Sequence, residues 1–80
     1  MMPPVRAYDE VVDFIAAGPS SENVVEFRPS EEARSRVADL VRRERTGTLS
    51  PDEASELEHY IQLEHLMRMA KARAKLYLDR

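Results

Sequence analysis

The sequence predicts an all-α protein with a short N-terminal helix, an extended linker and an antiparallel helical hairpin whose second helix is long. Apolar residues recur at spacings of three and four in three separate segments, which is typical of amphipathic helices. Only one short segment has β character, and the chain offers no second strand to pair with it. Because the chain has 80 residues, we expect one small domain that is marginally able to build its own core.

The first helix is predicted over residues 7–17, after a mobile lead-in of residues 1–6. Gly18 and Pro19 end it, since glycine accepts the left-handed capping conformation and proline cannot continue a helix. The spacing of its apolar residues predicts which side chains pack inward: Tyr8, Val11, Val12 and Ile15. Its acidic residues are expected to face water: Asp9, Glu10 and Asp13.

Residues 18–29 are predicted to form an extended linker. The stretch from Val24 to Phe27 is β-branched and aromatic, and Pro29 disfavours a helical conformation of the residue before it. Two interpretations remain open. Either the stretch is an apolar strap that packs Val25 and Phe27 into the core, or it is a short strand whose partner belongs to another molecule.

The second helix is predicted over residues 30–45, with Ser30 as its N-cap and two glutamates in its first turn. It is expected to bury Ala33, Val37, Leu40 and Val41. Two ion pairs at i,i+4 spacing are expected on its surface: Glu32 with Arg36, and Asp39 with Arg43. The turn around Gly47 then reverses the chain.

The third helix is predicted over residues 50–78 and is the most clearly marked element. Ser50 and Glu53 have the spacing of a capping box, and Pro51 suits the first helical position. A helix of this length spans about 43 Å. It carries an apolar row, here called the seam, at heptad spacings of three and four: Tyr60, Leu63, Met67, Ala70, Ala74 and Tyr77. A weaker second apolar set lies away from the seam: Leu57, Ile61, Met69 and Leu76.

The far end of this helix needs a covering partner, because the second helix reaches back only to about residue 66. The first helix, a second copy of the chain or another protein are the three candidates. Charge also reverses along the helix, from −5 over residues 48–66 to +4 over residues 67–80. This reversal favours complementary packing within the chain or a dimer; a nucleic-acid patch at the basic end, or an acidic protein partner, is the alternative.

The sequence indicates no catalytic, cofactor or metal site. It has no cysteine, and no phosphate-binding, dinucleotide or nucleophile-elbow motif occurs. The two histidines, His59 and His65, point about 120° apart on a helix, so they cannot share a metal ion within one chain. We therefore do not expect an enzyme. The absence of cysteine, of a signal peptide and of a long apolar run predicts a cytoplasmic protein.

Several stretches resemble a family of small bacterial proteins, common in cyanobacteria, that are often encoded beside HNH-type endonucleases. The stretches are Asp13-Phe14-Ile15-Ala16-Ala17-Gly18, Phe27-Arg28-Pro29-Ser30, Leu49-Ser50-Pro51-Asp52-Glu53, Ser55-Glu56-Leu57-Glu58-His59-Tyr60, Leu63-Glu64-His65-Leu66-Met67-Arg68 and Ala70-Lys71-Ala72-Arg73-Ala74. The resemblance implies an antitoxin-like or accessory partner of a nuclease. It brings no catalytic residues with it.

The predicted function is that of a protein-interaction module, expected as a homodimer, that binds or neutralises a partner enzyme. Apolar contact is assigned to the seam, Tyr60, Leu63, Met67, Ala70, Ala74 and Tyr77, and charge complementarity to Arg68, Lys71, Arg73 and Lys75. Two alternatives remain open. The chain could be a small DNA- or RNA-associated regulator that uses the same basic end, or a purely structural protein that assembles with itself.

Overall fold

The computed structural model describes residues 6–79, so most of the predicted mobile lead-in lies outside the described residues. Four α-helices follow one another along the chain: α1 (Asp9–Ala16), α2 (Ser21–Glu26), α3 (Glu31–Arg45) and α4 (Pro51–Leu78). The described residues contain no strand. The long helix α4 packs against both α2 and α3. The all-helical class and the long C-terminal helix are therefore confirmed.

Helices α3 and α4 begin where their capping residues predict. The Ser30 hydroxyl accepts a hydrogen bond from the Ala33 amide at 3.1 Å. At α4 the capping box is complete: the Ser50 hydroxyl accepts from the Glu53 amide at 3.1 Å, and the Glu53 carboxylate accepts from the Ser50 amide at 3.0 Å. Between the two helices Gly47 adopts a φ of 73°, a backbone conformation that glycine reaches without steric cost.

The core lies between α3, α4 and the residues that precede α1. Leu40 and Leu57 are completely enclosed, and Ala7 and Tyr60 complete the buried cluster. As predicted, α3 buries Ala33 and Leu40, whereas Val37 and Val41, also expected to be buried, are half-buried and pack against the cluster. Burying a leucine side chain this fully stabilises the fold by about 1.5–3 kcal/mol.

The extended linker predicted over residues 18–29 is wrong over Ser21–Glu26, which form helix α2. The Ser20 hydroxyl caps this helix by accepting from the Asn23 amide at 3.1 Å. Packing of α2 against α4 outweighs the β preference of its two valines, because a tertiary contact contributes more than the small difference in intrinsic propensity. The extended conformation does appear at Phe27, where φ is −60° and ψ is 133°.

Helix α1 packs by only part of the predicted side. As predicted, Val11 is buried and Tyr8 packs half-buried against the core, and the Phe14 ring stacks on Phe27 with the ring centroids 4.4 Å apart. Val12 and Ile15, which were expected inside, are 44% and 42% exposed. The expectation that Glu10 faces open water is also wrong, because its carboxylate accepts the Ser30 amide at 2.8 Å. Hydrogen bonds from Ser30 hold the pKa of Glu10 below its usual value.

Ion pairs join α3 to α4. Arg36 binds both carboxylate oxygens of Glu56 at 2.9 Å, and Arg43 pairs with Glu53 and with Asp39. The predicted Asp39 pair with Arg43 is confirmed. The predicted Glu32 pair with Arg36 does not form, because Arg36 turns towards Glu56 on α4 instead. None of the helices between residues 6 and 79 is both long and apolar enough to cross a membrane.

Candidate interaction surface

One side of α4 carries large apolar side chains that the other residues between 6 and 79 leave about half exposed. Leu66 is 47% exposed, Met69 is 52% exposed and Leu76 is 61% exposed. Leu66, Met69, Arg73 and Leu76 follow one another at spacings of three, four and three residues. These four residues therefore share one side of the helix. Continuing in the N-terminal direction by steps of four, the same side includes Gln62 and Glu58, both exposed. We call these six residues the outer face of α4.

A groove lies beside the outer face, between the start of α1 and the middle of α4. Its volume is about 480 Å³, and it is lined by Tyr8, Val12, His59, Gln62, Leu63 and Leu66. The rings of two of these lining residues, Tyr8 and His59, meet edge to face with their centroids 5.6 Å apart. On α1, Ile15 follows Val12 by three residues, so it extends the exposed apolar surface along that helix.

The chain itself covers half of the predicted seam. Tyr60, Met67 and Ala74 are buried to 6%, 6% and 5% exposure. Leu63 and Ala70 are half-buried, and Tyr77 is 55% exposed. Burial raises the pKa of Tyr60, as expected of a packing side chain. The role of these six residues in binding a partner stays a prediction, and the apolar side chains that face solvent lie mainly beside them.

Helix α2 is the element that covers the far end of α4. It packs along α4, and the Phe27 carbonyl that follows it accepts a hydrogen bond from Lys71 Nζ at 2.6 Å. A small cavity of about 110 Å³ remains between Phe27, Met67 and Lys71. The sequence indicated the first helix, a second copy or another protein as the cover for the far end of α4. It did not predict a helix between residues 20 and 27. The missed signal was Ser20, an N-cap residue placed just before six residues without proline or glycine.

The four predicted basic partner-binding residues differ in what they touch. Arg68 pairs with Glu64 one turn away, and Lys71 binds the Phe27 carbonyl. Arg73 and Lys75 form no ion pair with any other residue between 6 and 79. Only Arg73 lies on the outer face. Lys75 is two positions further along, about 200° around the helix, and shares a side with Arg68 and Ile61.

A second charged cluster, around Glu56, holds the fold together. The Glu56 side chain is 7% exposed and accepts the Ala7 amide at 2.9 Å as well as two hydrogen bonds from Arg36. The Arg36 guanidinium is the main cause that lowers the pKa of Glu56. A cavity of about 200 Å³ beside it is lined by α1, by α3 with its N-cap and by the segment before α1: Arg6, Ala7, Glu10, Ser30, Glu32, Ala33 and Arg36. Within residues 6–79, no group of three or more His, Asp or Glu side chains could hold a metal ion.

No protein-family model, curated protein or solved structure matches this chain. The candidate surface therefore rests on its own geometry. Sequence reasoning singled out Arg73 and placed Met69 and Leu76 in a secondary apolar set, but it missed Leu66, Val12 and Ile15 as exposed residues. The heptad spacing from Gln62 through Leu66 to Leu76 was a detectable signal, hidden by the more regular seam beside it.

Proposed function

We propose that this protein is a protein-interaction module that binds its partner through the outer face of α4 and the adjoining groove. The observation that carries the proposal is the exposure of Leu66, Met69 and Leu76 in one row. Single exposed apolar side chains are ordinary on protein surfaces, whereas a contiguous row next to an apolar groove is typical of a docking site. Amphipathic helices commonly bind grooves of this kind.

The energetics support the same proposal. Each of these side chains already loses about half of its surface to neighbouring residues, so removing the rest from water would contribute about 1 kcal/mol per residue. Val12 and Ile15, at 44% and 42% exposure, add similar amounts if the partner also reaches α1. The total of about 5 kcal/mol is similar to the lower end of the cost of bringing two molecules together, about 4–15 kcal/mol, so a stable complex also needs the apolar surface that the partner buries.

A finer proposal concerns the kind of partner. The resemblance to proteins encoded beside HNH-type endonucleases supports an accessory or antitoxin-like role towards an enzyme such as a nuclease. A direct role in binding DNA or RNA has less support, because the unpaired cations Arg73 and Lys75 lie on different sides of α4 and do not form one patch.

The test combines two measurements on two matched variants. Leu66→Asp places a charge on the outer face, and Ile61→Asp places the same charge on an equally exposed apolar residue (55%) on another side of α4. The solution mass of each variant is measured by light scattering, and its co-purification with the product of the neighbouring gene is measured from co-expressed cells. Leu66→Asp should weaken association in at least one of the two measurements, and Ile61→Asp should leave both unchanged. If the two variants behave alike, the outer face is not the docking site.

A further inference from the structure

We infer that the outer face of α4 docks onto the same face of a second copy of this chain, with the two helices antiparallel and Glu58 of each protomer opposite Arg73 of the other. This inference rests on the proposed function, because it names the partner of the same surface. It follows from charge placement along α4 and from the matching of side chains around a twofold axis.

Charge placement is the first argument. Glu58 and Arg73 are opposite charges at the two ends of the outer face, about 22 Å apart along the helix. Both are exposed, and neither forms an ion pair with another residue between 6 and 79. A twofold axis between residues 65 and 66 brings each of them to the opposite charge of the other protomer. An isologous interface repeats every contact, so one such pair becomes two.

Side-chain matching around the same axis is the second argument. Leu66 of each protomer lies next to the axis, so the two leucines meet at the centre. Met69 of one protomer then falls opposite Gln62 of the other, which lines the groove beside α1. Methionine suits such a position because its unbranched side chain adapts to an irregular apolar surface. The contacts repeat at heptad spacing, which lets two helices stay in contact at a shallow crossing angle.

The charge of the whole helix selects the antiparallel direction. Residues 48–66 carry −5 and residues 67–80 carry +4. Antiparallel helices set each acidic block beside a basic block, whereas parallel helices set like charges together. Glu53, Glu56 and Glu64 already form ion pairs with arginines of their own chain, so they contribute less to attraction between two chains. Glu58 and Arg73 are the pair that the outer face leaves for a partner.

The experiment measures the dimer dissociation constant by sedimentation equilibrium in low salt for the native chain and a set of charge variants. The native chain should form a particle of twice 9.2 kDa. Arg73→Glu and Glu58→Arg should each weaken the dimer by about tenfold or more, since each sets two like-charged pairs across the axis. The double variant exchanges the charges, so it should return to within about threefold of the native chain. Lys75→Glu makes the same change of net charge on another side of α4 and should shift the constant by less than about threefold.

Three results would overturn the inference. The first is a native chain that stays monomeric at millimolar concentration. The second is a dimer that weakens with Leu66→Asp but ignores both charge reversals, which would place the contact in another register. The third is a dimer that Lys75→Glu weakens as much as Arg73→Glu does. If the native chain is monomeric and Leu66→Asp abolishes co-purification with the neighbouring gene product, the outer face binds another protein and not a second copy. The proposed function would then still hold. Circular dichroism of every variant checks that the helices remain folded.

Discussion

Replacing Glu56 by glutamine should destabilise the fold far more than its small change in shape suggests. One carboxylate oxygen of Glu56 accepts both the Ala7 amide and Arg36 Nε, and the other accepts Arg36 Nη2, all at 2.9 Å. A glutamine keeps one acceptor oxygen and presents an NH₂ group in place of the other. Whichever way the amide turns, at least one donor then faces another donor. The variant also loses the charge that balances Arg36 in a site where Glu56 is 7% exposed.

The expected cost follows from this geometry. Losing one hydrogen bond to a charged group and leaving its buried donor unsatisfied costs about 2–3 kcal/mol, with Arg36 still able to reach water on its exposed side. A chain of 80 residues has a total free energy of unfolding of about 4–12 kcal/mol, so the loss is a large share. The melting temperature should fall by about 10–20 °C.

The assay is urea unfolding at pH 7, followed by circular dichroism at 222 nm, with Glu44→Gln as the matched control. Glu44 lies on α3 and is exposed without an ion pair among residues 6–79, so its change should cost less than about 0.5 kcal/mol. If Glu56→Gln and Glu44→Gln have the same unfolding midpoint at equal slope, Glu56 does not hold the N-terminal segment to the hairpin. The reasoning from burial and hydrogen bonding would then be wrong.

Two further predictions concern acid and the turn. Arg43 lowers the pKa of Glu53 to about 2, and the pKa values of Glu10 and Glu56 are lowered as well. The stability that these carboxylates contribute is therefore fully present above about pH 4.5 and should be lost as pH falls towards 2. Unfolding midpoints measured from pH 7 down to pH 2 test this, and Glu53→Gln should flatten the decline; a midpoint independent of pH would contradict it. Gly47→Ala should cost about 1 kcal/mol, because alanine is strained at a φ of 73° although no neighbouring atom lies within 4 Å of the added carbon. Gly47→Asn should cost less, since asparagine tolerates this conformation. Equal melting temperatures of the native, alanine and asparagine forms would exclude backbone strain at the turn.

The helices with strong local signals could be predicted from the sequence, and the one set by packing could not. Ser50, Pro51 and Glu53 determine the start of α4 by contacts within one turn, so pattern reasoning finds them. Helix α2 has six residues, too few to be stable alone, and its valines favour strands. Its conformation depends on α4 more than forty residues away, where Lys71 binds the Phe27 carbonyl. No local pattern contains that information.

The exposed surface was harder to predict for a related reason. Periodicity shows that α4 has apolar residues on more than one side, but it does not show which side the rest of the chain will cover. The seam containing Met67 and Ala74 was the more regular row, and the chain buries these two residues on the side where α2 packs against α4. The outer face containing Leu66 and Met69 became visible only once those helices were placed.

The position of the N-terminal segment against α4 has a consequence for how this protein folds as it is made. Ala7 binds Glu56, and Phe27 binds Lys71, so both anchors of the first thirty residues join positions more than forty apart in the chain. Closing such long loops is slow compared with forming local turns. A ribosome must therefore synthesise α4 as far as Lys71 before residues 6–30 can make both of these contacts. Until then they have only contacts that are nearer in sequence, such as the stacking of Phe14 on Phe27 and the hydrogen bond between Glu10 and Ser30.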